Sequence, residues 1–199
     1  MKPKNIIPIN SDKPIRADAI RNRRLLLDTA LQLFDEFGIE DVTMSAIAKE
    51  ANVGKGTLYR HFTDKAELCH ALLDEDMRQF QTLTLDHIRT CPNAFDCLHW
   101  FLEQSATYVV AHNELLVEAS NQGGVDMLSH PAHIWWRQTI AGLLTRLNLS
   151  VDISYIADVL YVMLDVQTIR FQRRVQGYDL ERIIAGLHMT LWRLVKVEN

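Results

Sequence analysis

The chain has 199 residues, 48% of them hydrophobic, so it can bury a core, and this composition excludes a disordered polymer. Eight glycines and five prolines are too few for the closely spaced turns of a β-sandwich or barrel, and no apolar run approaches the roughly 18 residues that cross a bilayer. The net charge of the chain is −4, but residues 1–65 carry 11 basic and 9 acidic side chains and are mildly basic. Only this N-terminal segment therefore suits an anionic partner. We therefore expect an all-α protein of about nine helices.

The first segment, residues 1–17, mixes prolines, asparagines and lysines and predicts a flexible basic arm. It has neither the continuous apolar stretch nor the small-residue cleavage site of a signal peptide. The three cysteines cannot all pair with one another, which is typical of a reduced compartment. These features together lead us to expect a soluble cytoplasmic protein.

Three helices are predicted within residues 18–64. In the first, an apolar face of Leu26, Ala30, Leu33, Phe34 and Phe37 repeats at helical spacing, and Gly38 ends the helix. The next two helices are short, and neither would be stable alone, so both must pack on the first.

A helix-turn-helix is predicted at about residues 43–62. Thr43 can cap the first short helix, and Asn52-Val53-Gly54 breaks the chain because asparagine tolerates the left-handed conformation. The second short helix turns Leu58 and Phe62 inward. Its other side chains can donate hydrogen bonds and include no acid, as contact with DNA requires: Lys55, Thr57, Tyr59, Arg60 and His61.

Three further residues complete this predicted DNA contact. Gly56 lets the backbone approach a ligand closely, the helix start at Thr43 offers free N–H groups to an anion, and Lys65 follows nearby. On composition alone, a solvated helical corner explains the same residues equally well.

The amino-acid sequence of residues 24–68 favours the DNA contact over the solvated corner, because it closely resembles the DNA-binding domain of TetR-family transcriptional regulators. The resemblance rests on Leu33-Phe34 with Gly38, Thr43, Ile47-Ala48, Gly56-Thr57-Leu58-Tyr59, His61-Phe62 and Lys65. It implies a homodimer on a partly palindromic double-stranded DNA operator. By position, it implies phosphate contacts for Thr43, Tyr59, His61 and Lys65, and base contacts for Lys55, Gly56, Thr57 and Arg60. Gly54 stands where the family often has serine, so we assign it no DNA contact.

Residues 65–199 are expected to form a helical effector-binding and dimerisation domain. Asp64 with Glu67 opens a helix to about residue 89, and later helices are expected at about 93–111, 113–121, 129–147, 152–176 and 179–197. Aromatic and apolar side chains between them could wall an effector pocket, although core packing explains them as well: Trp100, Tyr108, Met127, Trp135 and Trp136.

The last two predicted helices carry broad apolar stripes. They suit either the core of one chain or a four-helix interface with a second copy, and the resemblance favours the interface. The residues expected at that interface are Val159, Met163, Ile183, Leu187, Leu191 and Leu194.

The sequence thus predicts a ligand-responsive regulator, in particular a repressor released from its operator by a small, mostly apolar molecule. The alternative is a DNA-bound adaptor controlled by a protein partner. No catalytic motif is present, so we expect no enzyme and no cofactor. Three pairs resemble incomplete metal sites and are set aside because no third ligand is evident nearby in the sequence: His130 with His133, His87 with Cys91, and Cys97 with His99. A redox role for the cysteines is set aside because nothing in the sequence indicates a lowered thiol pKa.

Overall fold

The computed structural model describes residues 12–120 and 131–196, and every element within them is an α-helix. The chain divides into two compact units, Met1–Leu68 and Cys69–Asn199, close to the predicted boundary at residue 64. None of the described helices is both long and apolar enough to cross a membrane. The ten helices are α1 (Asp12–Phe37), α2 (Met44–Glu50), α3 (Lys55–His61), α4 (Lys65–Thr90), α5 (Ala94–Ala111), α6 (Asn113–Ser120), α7 (Pro131–Thr145), α8 (Ile153–Val162), α9 (Val166–Arg174) and α10 (Leu180–Lys196).

Helix α1 begins at Asp12, earlier than the predicted start at residue 18. Residues 12–17 of the predicted arm are therefore helical, and the rest of the arm, residues 1–11, lies outside the described residues. Leu26 and Ala30 are fully buried, as predicted, but Phe37 is 54% exposed. Phe37 is the last residue of α1, and the chain turns away at Gly38, whose φ is +83°. Ile39, just beyond the turn, is buried.

The helix predicted over residues 152–176 is two helices, which raises the count from nine to ten. The break lies at Met163–Asp165, where Leu164 N–H donates to the Tyr161 carbonyl in a tighter turn. The Asp165 carboxylate then accepts from the backbone N–H groups of Gln167 and Thr168 and caps α9. An aspartate inside an apolar run thus starts a new helix, because its side chain satisfies the free N–H groups of a first turn.

The second unit is organised around helix α5, which packs against α7, α9 and α10. Four aromatic rings meet at its centre. Phe80 stacks on Phe101 with ring centroids 5.9 Å apart, and the edge of Trp135 meets Phe101 at 5.8 Å. Trp136 approaches Phe80 at 5.7 Å. These stacked, tilted and edge contacts are arrangements that aromatic pairs prefer.

Two cysteines are paired, contrary to the expectation of reduced thiols. Cys91 and Cys97 form a disulfide across the connection between α4 and α5, with Cα atoms 6.0 Å apart. Cys69 is a free, buried thiol. The pairing removes both thiols from the metal pairs considered with His87 and His99.

Candidate nucleic-acid interface

Helix α2 is held at its start by the residue predicted to cap it. The Thr43 side chain accepts a hydrogen bond from the Ala46 N–H at 3.2 Å, and Thr43 itself is exposed. Met44, Ile47 and Ala48 are buried on the opposite side. The short helix therefore presents its N-terminal N–H groups at the surface while its apolar side packs inward.

The turn between α2 and α3 has the predicted geometry. Asn52 has a φ of +52°, the left-handed conformation that asparagine tolerates. Gly54 precedes α3 in an extended conformation and makes no side-chain capping bond. Backbone contacts alone fix this turn, with Val53 N–H donating to the Ala48 carbonyl at 2.9 Å.

Helix α3 separates a buried side from an exposed side, as predicted. Leu58 is 0% exposed and Phe62, directly after the helix, is 1% exposed, so both anchor it in the core of the first unit. On the other side, Tyr59 is 48% exposed. Lys55, Gly56 and Arg60 are exposed as well, whereas Thr57 and His61 are half-buried.

Arg60 is oriented by its own helix. Its Nε donates to the Gly56 carbonyl at 3.1 Å. This bond uses one of the five guanidinium N–H groups and leaves the two terminal nitrogens as the donors that a bidentate contact requires. The exposed side of α3 is thus a row of hydrogen-bond donors on a positioned scaffold.

Lys65 occupies a different environment from the one that the resemblance implies. Its Nζ donates to the carbonyl oxygens of Ile39 and Val42, at 2.5 and 3.1 Å. Both carbonyls lie in the connection between α1 and α2, so the ammonium group joins the start of α4 to that loop. The contact is partly buried. Lys65 therefore stabilises the first unit by joining α4 to the loop between α1 and α2.

One contact at this site was not foreseen from the sequence. The Arg23 guanidinium lies over the ring of Phe62, 4.8 Å from its centroid, and so links α1 to the residue that follows α3. Nothing in the sequence pattern distinguishes Arg23 from its neighbours Arg21 and Arg24.

The second unit contains a cavity of about 100 Å³, room for several waters or a small organic molecule. Of the residues expected to wall an effector pocket, Tyr108 and Trp136 line this cavity. Trp100 and Trp135 do not: Trp100 stacks on His87 with centroids 3.9 Å apart, and Trp135 packs in the aromatic core. Met127 lies outside the described residues. The cavity is also lined by His70, Asp74, His133, Tyr161 and Asp165.

Two tyrosine hydroxyls are among the polar groups that line this cavity. The Tyr108 hydroxyl is buried and has no hydrogen-bond partner among the described residues. Burial, followed by the charges of Asp76 and Asp74, raises the pKa of Tyr108. Burial, followed by the charge of Asp165, raises the pKa of Tyr161 to about 12, and its hydroxyl pairs with His133 Nδ1. Both hydroxyls therefore stay protonated near neutral pH.

The predicted dimer residues divide into two groups. Ile183, Leu187 and Leu191 are at most 6% exposed and belong to the core of the same chain, so assigning them to a dimer interface was wrong. Their stripe packs α10 against α5. The other three residues, Val159, Met163 and Leu194, are half-buried and remain candidates.

Other apolar side chains on the same helices are more exposed than these. On α8, Tyr155 is 66% and Val162 is 59% exposed; on α10, Met189 is 62% and Trp192 is 41% exposed. Tyr155 and Val162 are seven positions apart, and Met189 and Trp192 are three positions apart. The two residues of each pair therefore share a face of their helix. Of His130 and His133, the pair set aside as an incomplete metal site, His130 lies outside the described residues and His133 lines the cavity.

Comparison with known proteins supports the interpretation of the first unit. Residues 26–72 match the family model of bacterial regulatory proteins of the tetR family. An HTH-type transcriptional regulator of Staphylococcus aureus strain bovine RF122 is 48% identical over 68 residues, which are 34% of this chain and 37% of the regulator. A second, from strain MRSA252, is 36% identical over 113 residues, 54% of this chain and 59% of the regulator. The chain thus aligns with well under two thirds of either relative.

The fold of nearly the whole chain has a solved counterpart. The regulator FadR from Bacillus subtilis, whose structure contains stearoyl-CoA, superposes with a TM-score of 0.64 and 20% sequence identity. The match covers 84% of this chain and 96% of FadR. At this identity the similarity concerns the arrangement of helices.

We predict that Lys65→Met destabilises the chain by about 1–3 kcal/mol, because two carbonyls lose a charged donor. Lys55→Met, at an exposed position of α3, should change stability by less than about 0.5 kcal/mol. Urea unfolding of the full chain, followed by hydrogen exchange of backbone amides in residues 18–68, measures both. Equal stability of the two variants would contradict the structural role of Lys65.

Proposed function

By its N-terminal domain this chain belongs to the tetR family of bacterial regulatory proteins, and on that premise we propose that it is a DNA-binding transcriptional regulator controlled by a small molecule. The exposed side of α3 carries this proposal. It presents lysine, threonine, tyrosine and arginine donors and no acid, on a helix whose other side is fixed by Leu58 and Phe62. Such a surface is complementary to phosphate oxygens and to the base edges of the major groove.

The donors divide into two roles. Lys55, Gly56, Thr57 and Arg60 meet bases, and Arg60 is the strongest candidate for specificity because its guanidinium is already oriented by Gly56. Tyr59, His61 and Thr43 contact phosphates, and the exposed start of α2 adds backbone N–H donors and a positive dipole end. Lys65 contributes indirectly, by holding the loop before Thr43.

The cavity in the second unit is the proposed effector site. Its walls are mostly apolar, and the unpartnered Tyr108 hydroxyl offers one directional hydrogen bond to a ligand. A buried hydroxyl without a partner costs stability, so a ligand that satisfies it gains affinity. This observation favours a small-molecule effector over a protein partner.

The charge of the cavity narrows the class of effector. Asp74 and Asp165 line it, and no lysine or arginine is found among the described lining residues. Phosphate-bearing ligands such as the stearoyl-CoA in FadR require cations around their phosphates. We therefore infer a compact, apolar effector that is neutral or positively charged.

A second copy of the chain is the proposed partner on DNA. Tyr155, Val162, Met189 and Trp192 expose large apolar side chains, and patches of such side chains mark association surfaces. A two-fold dimer gives two α3 helices for the two halves of a palindromic operator. Release by the effector requires only that binding favour another spacing of these helices; about 1.4 kcal/mol of coupling lowers operator affinity tenfold.

For DNA binding, we predict that Arg60→Ala flattens the preference among sequences selected from random DNA, with a loss of about 1–3 kcal/mol at one base pair. Tyr59→Phe, which removes only the phenolic hydroxyl, should weaken binding to all sequences similarly. Selection followed by salt titration of the affinity measures both effects. If Arg60→Ala retained full preference, the base contact would be excluded.

For the effector site, we predict that phenethylammonium stabilises the chain and that 3-phenylpropionate, of similar size and opposite charge, binds at least about tenfold more weakly. Asp74→Asn should reduce this difference in affinity. Tyr108→Phe should lower the affinity for effectors that hydrogen-bond to the Tyr108 hydroxyl, and it should not lower the melting temperature of the free protein. Calorimetric titration of the full-length chain gives the affinities. Preferential binding of the carboxylate would reverse the inferred charge class.

For the dimer, we predict that Trp192→Glu on α10 yields a monomer at micromolar concentration, because a carboxylate would be buried at the apolar face. Leu85→Glu, at a similarly exposed position on α4, is the matched control and should leave the dimer intact. Analytical ultracentrifugation distinguishes the two states. A dimeric Trp192→Glu variant would place the interface elsewhere.

A further inference from the structure

Two histidines and a glutamate meet on the packed helices α5 and α10, away from the cavity. His99 and Glu103 are four residues apart on α5 and therefore share a face, and His188 reaches them from α10. One ligand atom from each of the three lies within 4.8 Å of the other two. All three side chains are half-buried. The cluster is therefore formed by the fold rather than by one flexible segment.

The two imidazole rings are held against each other. They stack with centroids 3.2 Å apart, and His188 Nε2 lies 3.2 Å from the His99 carbonyl oxygen. Since a carbonyl only accepts, Nε2 must carry the proton, which leaves the lone pair on His188 Nδ1. A ring nitrogen that donates to a backbone carbonyl is the usual arrangement behind a metal-bound histidine, because it fixes the tautomer and the ring orientation.

The third side chain of the cluster suits the same role. Glu103 adds the negative charge that such a site uses to offset the charge of the ion.

We propose that His99, Glu103 and His188 form a binding site for a divalent transition-metal ion of the zinc type. Two imidazoles and one carboxylate suit zinc and other first-row transition metals such as iron, nickel and copper, whereas magnesium and calcium prefer oxygen ligands throughout. Three protein ligands leave one position of a tetrahedron for water. The bound ion would cross-link α5 to α10, the same helix that carries Met189 and Trp192. The proposal does not depend on DNA binding or on the effector.

Zinc titration of the full-length, tag-free, metal-depleted chain against a chromophoric chelator tests this site. We expect one Zn²⁺ per chain. Removing a residue that only hydrogen-bonds to a metal ligand typically lowers metal affinity about 10–100-fold. Because His188→Ala and Glu103→Ala each remove a ligand itself, each should lower zinc affinity at least that much. His87→Ala is the matched control: it removes a half-buried histidine that stacks on Trp100 and should leave zinc affinity unchanged.

Two further measurements separate binding at this cluster from misfolding. Co²⁺ in place of Zn²⁺ should give the intense visible absorption of a four-coordinate site, which His99→Ala abolishes. Zinc at a hundredfold excess over its Kd should raise the melting temperature of the wild type by roughly 5–10 °C and that of His188→Ala by none. The proposal would be overturned if the wild type bound zinc no more tightly than the three cluster variants do. The histidines would then be a structural pair.

Discussion

A helix of seven residues does not keep its shape in water, and the proposed function depends on such a helix. Forming the first turn of a helix costs more than its few hydrogen bonds return, so α3 exists only because Leu58 and Phe62 are buried against the rest of the first unit. Arg23 over the Phe62 ring and Lys65 on the loop carbonyls reinforce the same corner. The residues that we propose to contact DNA can therefore stay exposed without loss of order, because other residues supply the stability.

The sequence predicts most of this corner for the same physical reason. Residues that need a particular backbone conformation or burial leave a local signal: Gly38 and Asn52 have the expected positive φ, and Thr43 caps α2. Lys65 and Arg23 leave no such signal. Their partners are a loop 23 or more residues earlier and an aromatic ring 39 residues later, and no periodicity reveals such distant pairs.

The second unit was harder to predict, because an apolar stripe does not say what covers it. Ile183, Leu187 and Leu191 of α10 are buried in the core of the chain. Met189 and Trp192 lie outside this stripe, at positions where the helical pattern of one chain predicts exposure to solvent. Aromatic residues behave alike: Trp136 reaches the cavity while its neighbour Trp135 packs in the core. The helix break at Asp165 illustrates the opposite case, where one polar residue in an apolar run determines local structure.

The cavity and the histidine cluster show how the same helix can present two chemistries. Helix α5 turns Tyr108 toward an acidic, largely apolar cavity, and two turns earlier it turns His99 and Glu103 toward α10. Because α5 packs against three other helices, a ligand on either side acts on a shared element. A rigid central helix is well suited to integrating two signals, since it can transmit a small displacement without bending.

The bonds of Lys65 also affect how the chain reacts chemically. An acylating reagent must reach the amine, and the Lys65 ammonium group is partly buried and donates to two carbonyl oxygens. The amine of Lys55 is exposed on α3. Acylating reagents, and acetylation in a cell, would therefore modify Lys55 first, and such a modification would remove a positive charge from the side of α3 proposed to face DNA while leaving the scaffold intact.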